Sequence, residues 1–326
     1  MVYKTKKLFL YVAVLAAVLA FGVVMLGAYV RLSAAGLGCP DWPGCYGHLT
    51  VPDAQQVDAV ARPLEPARAW KEMIHRYFAG SLATLILLLA VLAWSKRREA
   101  GQPLLLPTLL LGFVVFQALL GMWTVTLLLF PPVVMAHLLG GFATFVLLVL
   151  LVLQSGRFLR VGNAATPGLR KLVTVGLVVL ILQIALGGWV SSNYAAIACP
   201  DFPTCQQSWW PAMDLASGFS WHGLGIDYQG GILDNPARVA IHWVHRLGAG
   251  VTFLVLGALS VQLFRTGAPV LKKLGAMVGA LLLLQIGLGI SMVEFGWPLP
   301  VADLHNGVAA LLLAAVVAVN WAVRKT

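Results

Sequence analysis

Eight long apolar runs alternate with polar segments along this chain, near residues 8–30, 72–94, 104–130, 132–153, 171–192, 237–264, 271–295 and 301–323. Each is about 20 residues or longer, enough to cross a hydrocarbon core of about 30 Å as an α-helix. The pattern predicts an all-α integral membrane protein with eight transmembrane helices. The first run starts with lysines and is rich in alanine, as a signal peptide would be. It is longer than the roughly 7–15 apolar residues of a signal sequence and has a counterpart inside the chain, so it is read as span 1.

Internal similarity then organises the eight spans. Gly27-Ala-Tyr-Val-Arg31, followed by Cys39-Pro-Asp-Trp-Pro-Gly-Cys45, aligns at an offset of 160 with Gly187-Gly-Trp-Val-Ser191, followed by Cys199-Pro-Asp-Phe-Pro-Thr-Cys205. His75 aligns with His245 at an offset of 170, and His137 with His305 at 168. Gln117-Ala-Leu-Leu-Gly121 aligns with Gln285-Ile-Gly-Leu-Gly289, also at 168. The expected architecture is two tandem, pseudo-symmetric four-helix bundles, 1–160 and 161–326, in the same orientation about an axis along the membrane normal.

Composition adds sidedness. Of the 326 residues 60% are hydrophobic and 10% charged, against roughly 25% charged in soluble domains. The net charge of +10 suggests a nucleic-acid binder until its distribution is read. Lys4, Lys6, Lys7, Lys96, Arg97, Arg98, Arg157, Arg160, Arg170, Lys171, Arg265, Lys272, Lys273, Arg324 and Lys325 all fall on one face, 15 of the 22 basic residues. The positive-inside rule assigns that face, and both termini, to the cytoplasm and argues against nucleic acid as a partner. The opposite face carries two long segments, about 31–71 and 193–236, rich in Pro, Gly, Trp and Asp. Loops of that length usually cover or line something. Pro132 and Pro236 suit the first turns of spans 4 and 6, where a missing N–H does no harm.

Four histidines carry the candidate chemistry. His75, His137, His245 and His305 each lie near the start of an even-numbered span, about four to eight residues in, which sets all four roughly 6–12 Å below the outer helix ends. A lone histidine in a membrane helix is most often a hydrogen-bonded packing residue. Four at matched depth, repeated between halves and without a matching set of carboxylates, point instead to a shared ligand, because an ionisable side chain in a membrane span is costly. Zinc prefers tetrahedral, mixed ligand sets. Haem iron takes axial imidazoles from facing helices, so His75/His137 and His245/His305 would each bracket one porphyrin. Arg76 and Arg246, next in the chain, suit either haem propionates or the outer headgroups. The Gln-x-x-x-Gly pairs at 117/121, 183/187 and 285/289 fit close helix packing or a porphyrin face. Glu72 stands where the second half has His242. It shares a helix face with His75, where a carboxylate takes part in proton transfer or simply favours a helix N-terminus. The cysteines fit structural disulfides in an oxidising compartment, Cys39–Cys45 and Cys199–Cys205, or a redox-active dithiol, although the Cys-x-x-Cys spacing is absent.

The whole chain resembles the haem A synthase family, through its eight spans in two halves, Glu72-x-x-His75-Arg76, His137, His245-Arg246, His305 and the outer-loop cysteine pairs. The resemblance implies oxidation of the C8 methyl of haem O to a formyl group, through a hydroxymethyl and then a dehydrating diol, to supply haem A to terminal oxidases. It implies a resident haem b cofactor between His245 and His305, and substrate haem O at His75 and His137 with Glu72 as the catalytic carboxylate. His242 is then a second-shell or propionate-side residue, beside the propionate candidates Arg76 and Arg246. Expected partners are membrane lipid, a haem O synthase and an electron donor, in a bacterial cell membrane; a homo-oligomer is left open. A di-haem b electron carrier without substrate turnover is the main rival, and a quinone-coupled disulfide oxidoreductase the second.

Overall fold

The structure, a computed structural model, describes residues 2–53, 55, 57, 62–99, 101–156, 159 and 166–324, with side chains from residue 7 onward. Arg157, Arg160 and Lys325, and the boundary expected at 160/161, lie outside the described residues, as do the side chains of Lys4 and Lys6. The elements in chain order are α1 (Val2–Leu32), α2 (Pro66–Ser95), α3 (Leu105–Thr126), α4 (Pro131–Gly156), α5 (Pro167–Ser192), the short α6 (Leu215–Gly218), α7 (Asn235–Arg265), α8 (Pro269–Glu294) and α9 (Leu299–Arg324). All except α6 are long and apolar enough to cross a membrane, so this is a multi-pass membrane protein. Among the described residues the only β pairing is two isolated bridges, Cys45 with His48 and Cys205 with Ser208.

The helix starts follow from local chemistry. Asp234 accepts a hydrogen bond from the Ala237 amide at 3.2 Å to cap α7, and Thr166 accepts from Leu169 at 3.2 Å to cap α5. Pro66, Pro167, Pro236 and Pro269 occupy first turns, where no N–H is needed. α2 begins six residues before the run expected from 72, because Pro66-Ala-Arg-Ala-Trp-Lys is polar in composition yet helical. Consequently His75 and His245 lie nine and ten residues past their helix starts, whereas His137 and His305 lie six past theirs. The difference of about one turn, roughly 5 Å, reflects α2 and α7 emerging further toward the long loops.

Packing repeats between the two sets of four helices. α1 packs on α2 and α4, and α3 on α2 and α4; correspondingly α5 packs on α7 and α9, and α8 on α7 and α9. Between the sets, α1 meets α9, α5 meets α4, and α4 meets α9, which is the pattern a two-fold relation requires. α9 is the most enclosed helix. Its Ala309, Ala310, Ala314, Ala315, Ala318 and Ala322 are buried, and small side chains let helices approach closely where lipid provides no hydrophobic drive between them.

Along the membrane normal the molecule has two layers. The large apolar core is built from Phe9–Ala20 of α1, Leu82–Ala93 of α2, Phe142–Leu151 of α4, Leu256–Leu263 of α7 and Ala309–Val323 of α9, all toward the basic ends of the helices. The histidines, glutamines and glycines of the repeated motifs lie toward the loop ends. The polar layer therefore sits over a dry plug and opens toward the loop face. There the two long loops are tied together, Arg62 pairing with Asp227 at 2.6 Å and donating to Gln229 at 2.7 Å, while the Tyr228 amide donates to Leu128 O in the turn between α3 and α4 at 3.0 Å.

Candidate functional site

Each of the four histidines rests against a glycine of a neighbouring helix. A Cβ built at Gly27 of α1 would stand 3.0 Å from His75 Cε1, and one at Gly121 of α3 would stand 3.3 Å from His137 Cε1. The corresponding distances are 3.2 Å from Gly187 of α5 to His245 and 3.2 Å from Gly289 of α8 to His305. One pairing thus recurs four times: an imidazole on one helix seated on a bare backbone of the next. His75 and His137 lie within electrostatic range of each other, and so do His245 and His305.

The second pair borders a cavity of about 710 Å³, also lined by Arg31, Gln183, Arg238, His242, Arg246, Gln285 and Trp297. That volume lies within the range of small-molecule and cofactor sites. Glutamines orient both rings: Gln183 Nε2 lies 3.1 Å from His245 Nδ1 and donates to His245 O at 3.0 Å, and Gln285 Nε2 lies 3.0 Å from His305 Nε2. His305 Nδ1 is buried without a hydrogen-bond partner, as are Nδ1 of His75 and of His137. A buried polar atom left so costs about 1–3 kcal/mol, which a ligand accepting the imidazole lone pair would relieve. Among the described residues no group of three or more His, Cys, Asp or Glu side chains is placed to hold a metal ion. Paired imidazoles bordering a large apolar cavity fit a haem, whose ring supplies the other iron ligands, and do not fit a tetrahedral zinc.

Above each pair sits a cysteine loop, and the two loops are built alike. Cys39–Cys45 and Cys199–Cys205 are disulfide-bonded, with all four cysteines buried. The shared Pro-Asp explains the turn that joins them. Asp41 accepts from the Tyr46 and Gly47 amides at 2.6 and 2.7 Å, and Asp201 from those of Gln206 and Gln207 at 2.6 and 2.9 Å. Burial acts to raise the pKa of Asp201, but the hydrogen bonds from Thr204, Gln207 and Gln206 outweigh it and hold the carboxyl below the ordinary Asp range.

Arg76 and Arg246 fasten these loops to the helices. Arg76 donates to the carbonyls of Pro43 (3.2 Å) and Gly44. Arg246 donates to Asp201 O (2.8 Å), Thr204 O (2.6 Å) and Cys199 O (3.1 Å). Both guanidiniums therefore spend donors on loop backbone rather than reaching for headgroups. One turn earlier the halves diverge. Buried Glu72 pairs with Arg76 and accepts from the Cys39 amide at 3.0 Å. At the same place buried His242 accepts from Arg246 Nε at 3.2 Å and meets Trp297 edge-on.

A family model described as cytochrome oxidase assembly protein, COX15-CtaA, matches residues 10–317. The chain belongs to that family. Among its relatives, the protein named haem A synthase from Shewanella oneidensis is 45% identical over 307 residues, 92% of each chain. Proteins of the same name from Halalkalibacterium halodurans and Rhizorhabdus wittichii are 26% and 28% identical, covering 90% and 94% of this chain and 90% and 91% of theirs.

In this member of the family three features went unread in the sequence. The glutamines of the Gln-x-x-x-Gly pairs contact imidazoles in α5 and α8, which neither close packing nor a bare porphyrin face anticipates. The fourth place in that series, equivalent to Gln183 at the offset of 160, is Val23, so the repeat gives the His75 side no such amide. Arg31, equivalent to Ser191, leaves the first half and lines the cavity of the second. The signal for both was in the repeat alignment, as mismatches at aligned positions.

Proposed function

We propose that this chain is a haem A synthase, a membrane oxidoreductase that converts the C8 methyl of haem O to a formyl group. The observation that carries the reading is the pair His245 and His305 lining one cavity of about 710 Å³, with His75 and His137 repeating their seating on glycines in a chain of the cytochrome oxidase assembly family. The second half, 161–326, holds a resident haem b between His245 and His305. The first half, 1–160, takes substrate haem O at His75 and His137. Haem supplies the iron that redox chemistry at an unactivated methyl requires and that no side chain provides.

The protein's own residues do the rest. Gln183 and Gln285 lie against the rings of His245 and His305 through their side-chain amide nitrogens and so set the ring orientations. The glycines opposite each imidazole hold the rings close to their helices, and the apolar core beneath closes the site from the basic face. Glu72, on the same helix as His75 and held by Cys39 N and Arg76, is the proton-transfer group on the substrate side. His242 fills that place in the second half as a ring that orients Arg246. The excess of basic residues on one face places both termini in the cytoplasm and the cysteine loops outside, where disulfides persist. Haem O would come from a haem O synthase, and a haem held by His245 and His305 would supply one-electron redox chemistry in the second half, with a separate electron donor as a further partner.

The test is expression in a host that makes haem O but no haem A, followed by extraction and mass identification of haems. Haem A in the extract is the expected result. An extract holding only haem B and unconverted haem O overturns the reading in favour of a di-haem carrier.

A further inference from the structure

The cavity of the second half is not closed by the second half alone. Arg31, in the last turn of α1, lines it beside His245 and His305. The guanidinium donates from Nη2 to Ser191 O at 2.6 Å and stacks over the Tyr194 ring at 4.0 Å. Its Nε is buried without a partner, and Arg31 takes part in none of the ion pairs found among the described residues. Arg238, on the first turn of α7, lines the same cavity and also has a buried, unpartnered Nε. Two guanidiniums, each with a buried Nε that lacks a partner, thus border a space whose third arginine, Arg246, is already committed to loop carbonyls.

A cation with no anion in such a place is costly unless a ligand completes it. Snorkelling does not account for Arg31, since its Nη2 is bonded to Ser191 O, its Nε is buried and the residue lines the cavity. The porphyrin assigned to this cavity carries two carboxylates, and charge-assisted hydrogen bonds from arginine are the strongest way to hold them.

We propose that Arg31 of the first half, together with Arg238 of the second, binds the two carboxylates of the porphyrin in the second half's cavity. The inference rests on the haem reading above. It adds that the cofactor site is shared across the repeat. One turn before Arg31, Gly27 seats His75, so α1 touches both sites, and a porphyrin anchored by Arg31 also fixes the helix behind the substrate-side histidine.

The test uses the full-length protein in detergent, stripped of haem, in a His137→Ala background so that bis-imidazole absorption reports the second half only. Ferric haem b and its dimethyl ester, which has no free carboxylate, are titrated into the Arg31 protein and into Arg31→Gln, Arg31→Lys and Arg238→Gln. Haem b is expected to bind the Arg31 protein on the order of tenfold more tightly than the ester does. Arg31→Gln and Arg238→Gln should each lose most of that preference, and Arg31→Lys should keep part of it. Because the ester comparison is made within one folded protein, it stands even where a variant fails to fold. Equal affinity for haem b and ester in the Arg31 protein, or an unchanged preference in Arg31→Gln, overturns the inference while leaving the haem reading intact. Failure of the Arg31 protein to bind either porphyrin overturns the haem reading, and the inference with it.

Discussion

The two halves of the molecule differ in how their paired histidines are held. In the second, His245 and His305 are each steadied by a glutamine, and an arginine from the other half closes the cavity. In the first, Val23 stands where Gln183 would be, and a carboxylate, Glu72, replaces His242. The two four-helix sets thus share their histidine, glycine and disulfide framework and differ at Val23/Gln183 and Glu72/His242 within the polar layer. A resident cofactor calls for oriented ligands. A substrate that must leave as product calls for weaker restraint and a group that moves protons.

The largest expected effect removes Glu72, proposed above to move protons. Glu72→Gln keeps the size of the side chain but should lower haem A formation by roughly 100-fold or more, with bound haem b retained, as read from extracted haems. Undiminished haem A would remove Glu72 from the chemistry and make the halves functionally alike. Next come the loops, where the comparison predicts equality. Replacing Cys39 and Cys45 by serine, or Cys199 and Cys205, should each cost about 2 kcal/mol in thermal stability without abolishing turnover. Loss of turnover from the first pair alone would mark it as redox-active.

Smaller still is the effect of making the second half resemble the first. Gln183→Val removes both contacts of Gln183 with His245, of which the one at the ring is worth about 1 kcal/mol, and should speed transfer of haem b to apomyoglobin about fivefold; an unchanged rate would strip Gln183 of its positioning role. The smallest effect lies at Asp201, whose folded pKa is held below its unfolded value. The stability it adds is fully present above the unfolded Asp value of about 3.9 and is lost as pH falls through the folded pKa. Fluorescence of the Trp210–Trp243 pair should therefore change below about pH 4, and Asp201→Asn should flatten that change.

Much of this was legible in the sequence because membrane constraints are strong. Spans, repeat and histidine pairing follow from run lengths and matched offsets, and the paired cysteines follow from spacing within aligned loops. What could not be read is what depends on one helix meeting another. Arg76 and Arg246 look like headgroup or propionate arginines in sequence, yet their donors go to carbonyls of loops more than 30 residues away. Arg31 looks like the end of a span, yet it crosses to the other half's cavity. The start of α2 was set too late because apolar periodicity fades in a turn that projects toward water, and Pro66 was the better marker.

The central claim is that two imidazoles from alternate spans hold a porphyrin in each half, with the permanent one in the second. Low-temperature electron paramagnetic resonance of the purified protein tests it most directly. In protein purified from a host that makes haem B but no haem O, so that the substrate side is empty, the account predicts a low-spin bis-imidazole ferric haem signal that survives His137→Ala and disappears in His305→Ala. A signal that persists in His305→Ala, or that vanishes in His137→Ala instead, would contradict it.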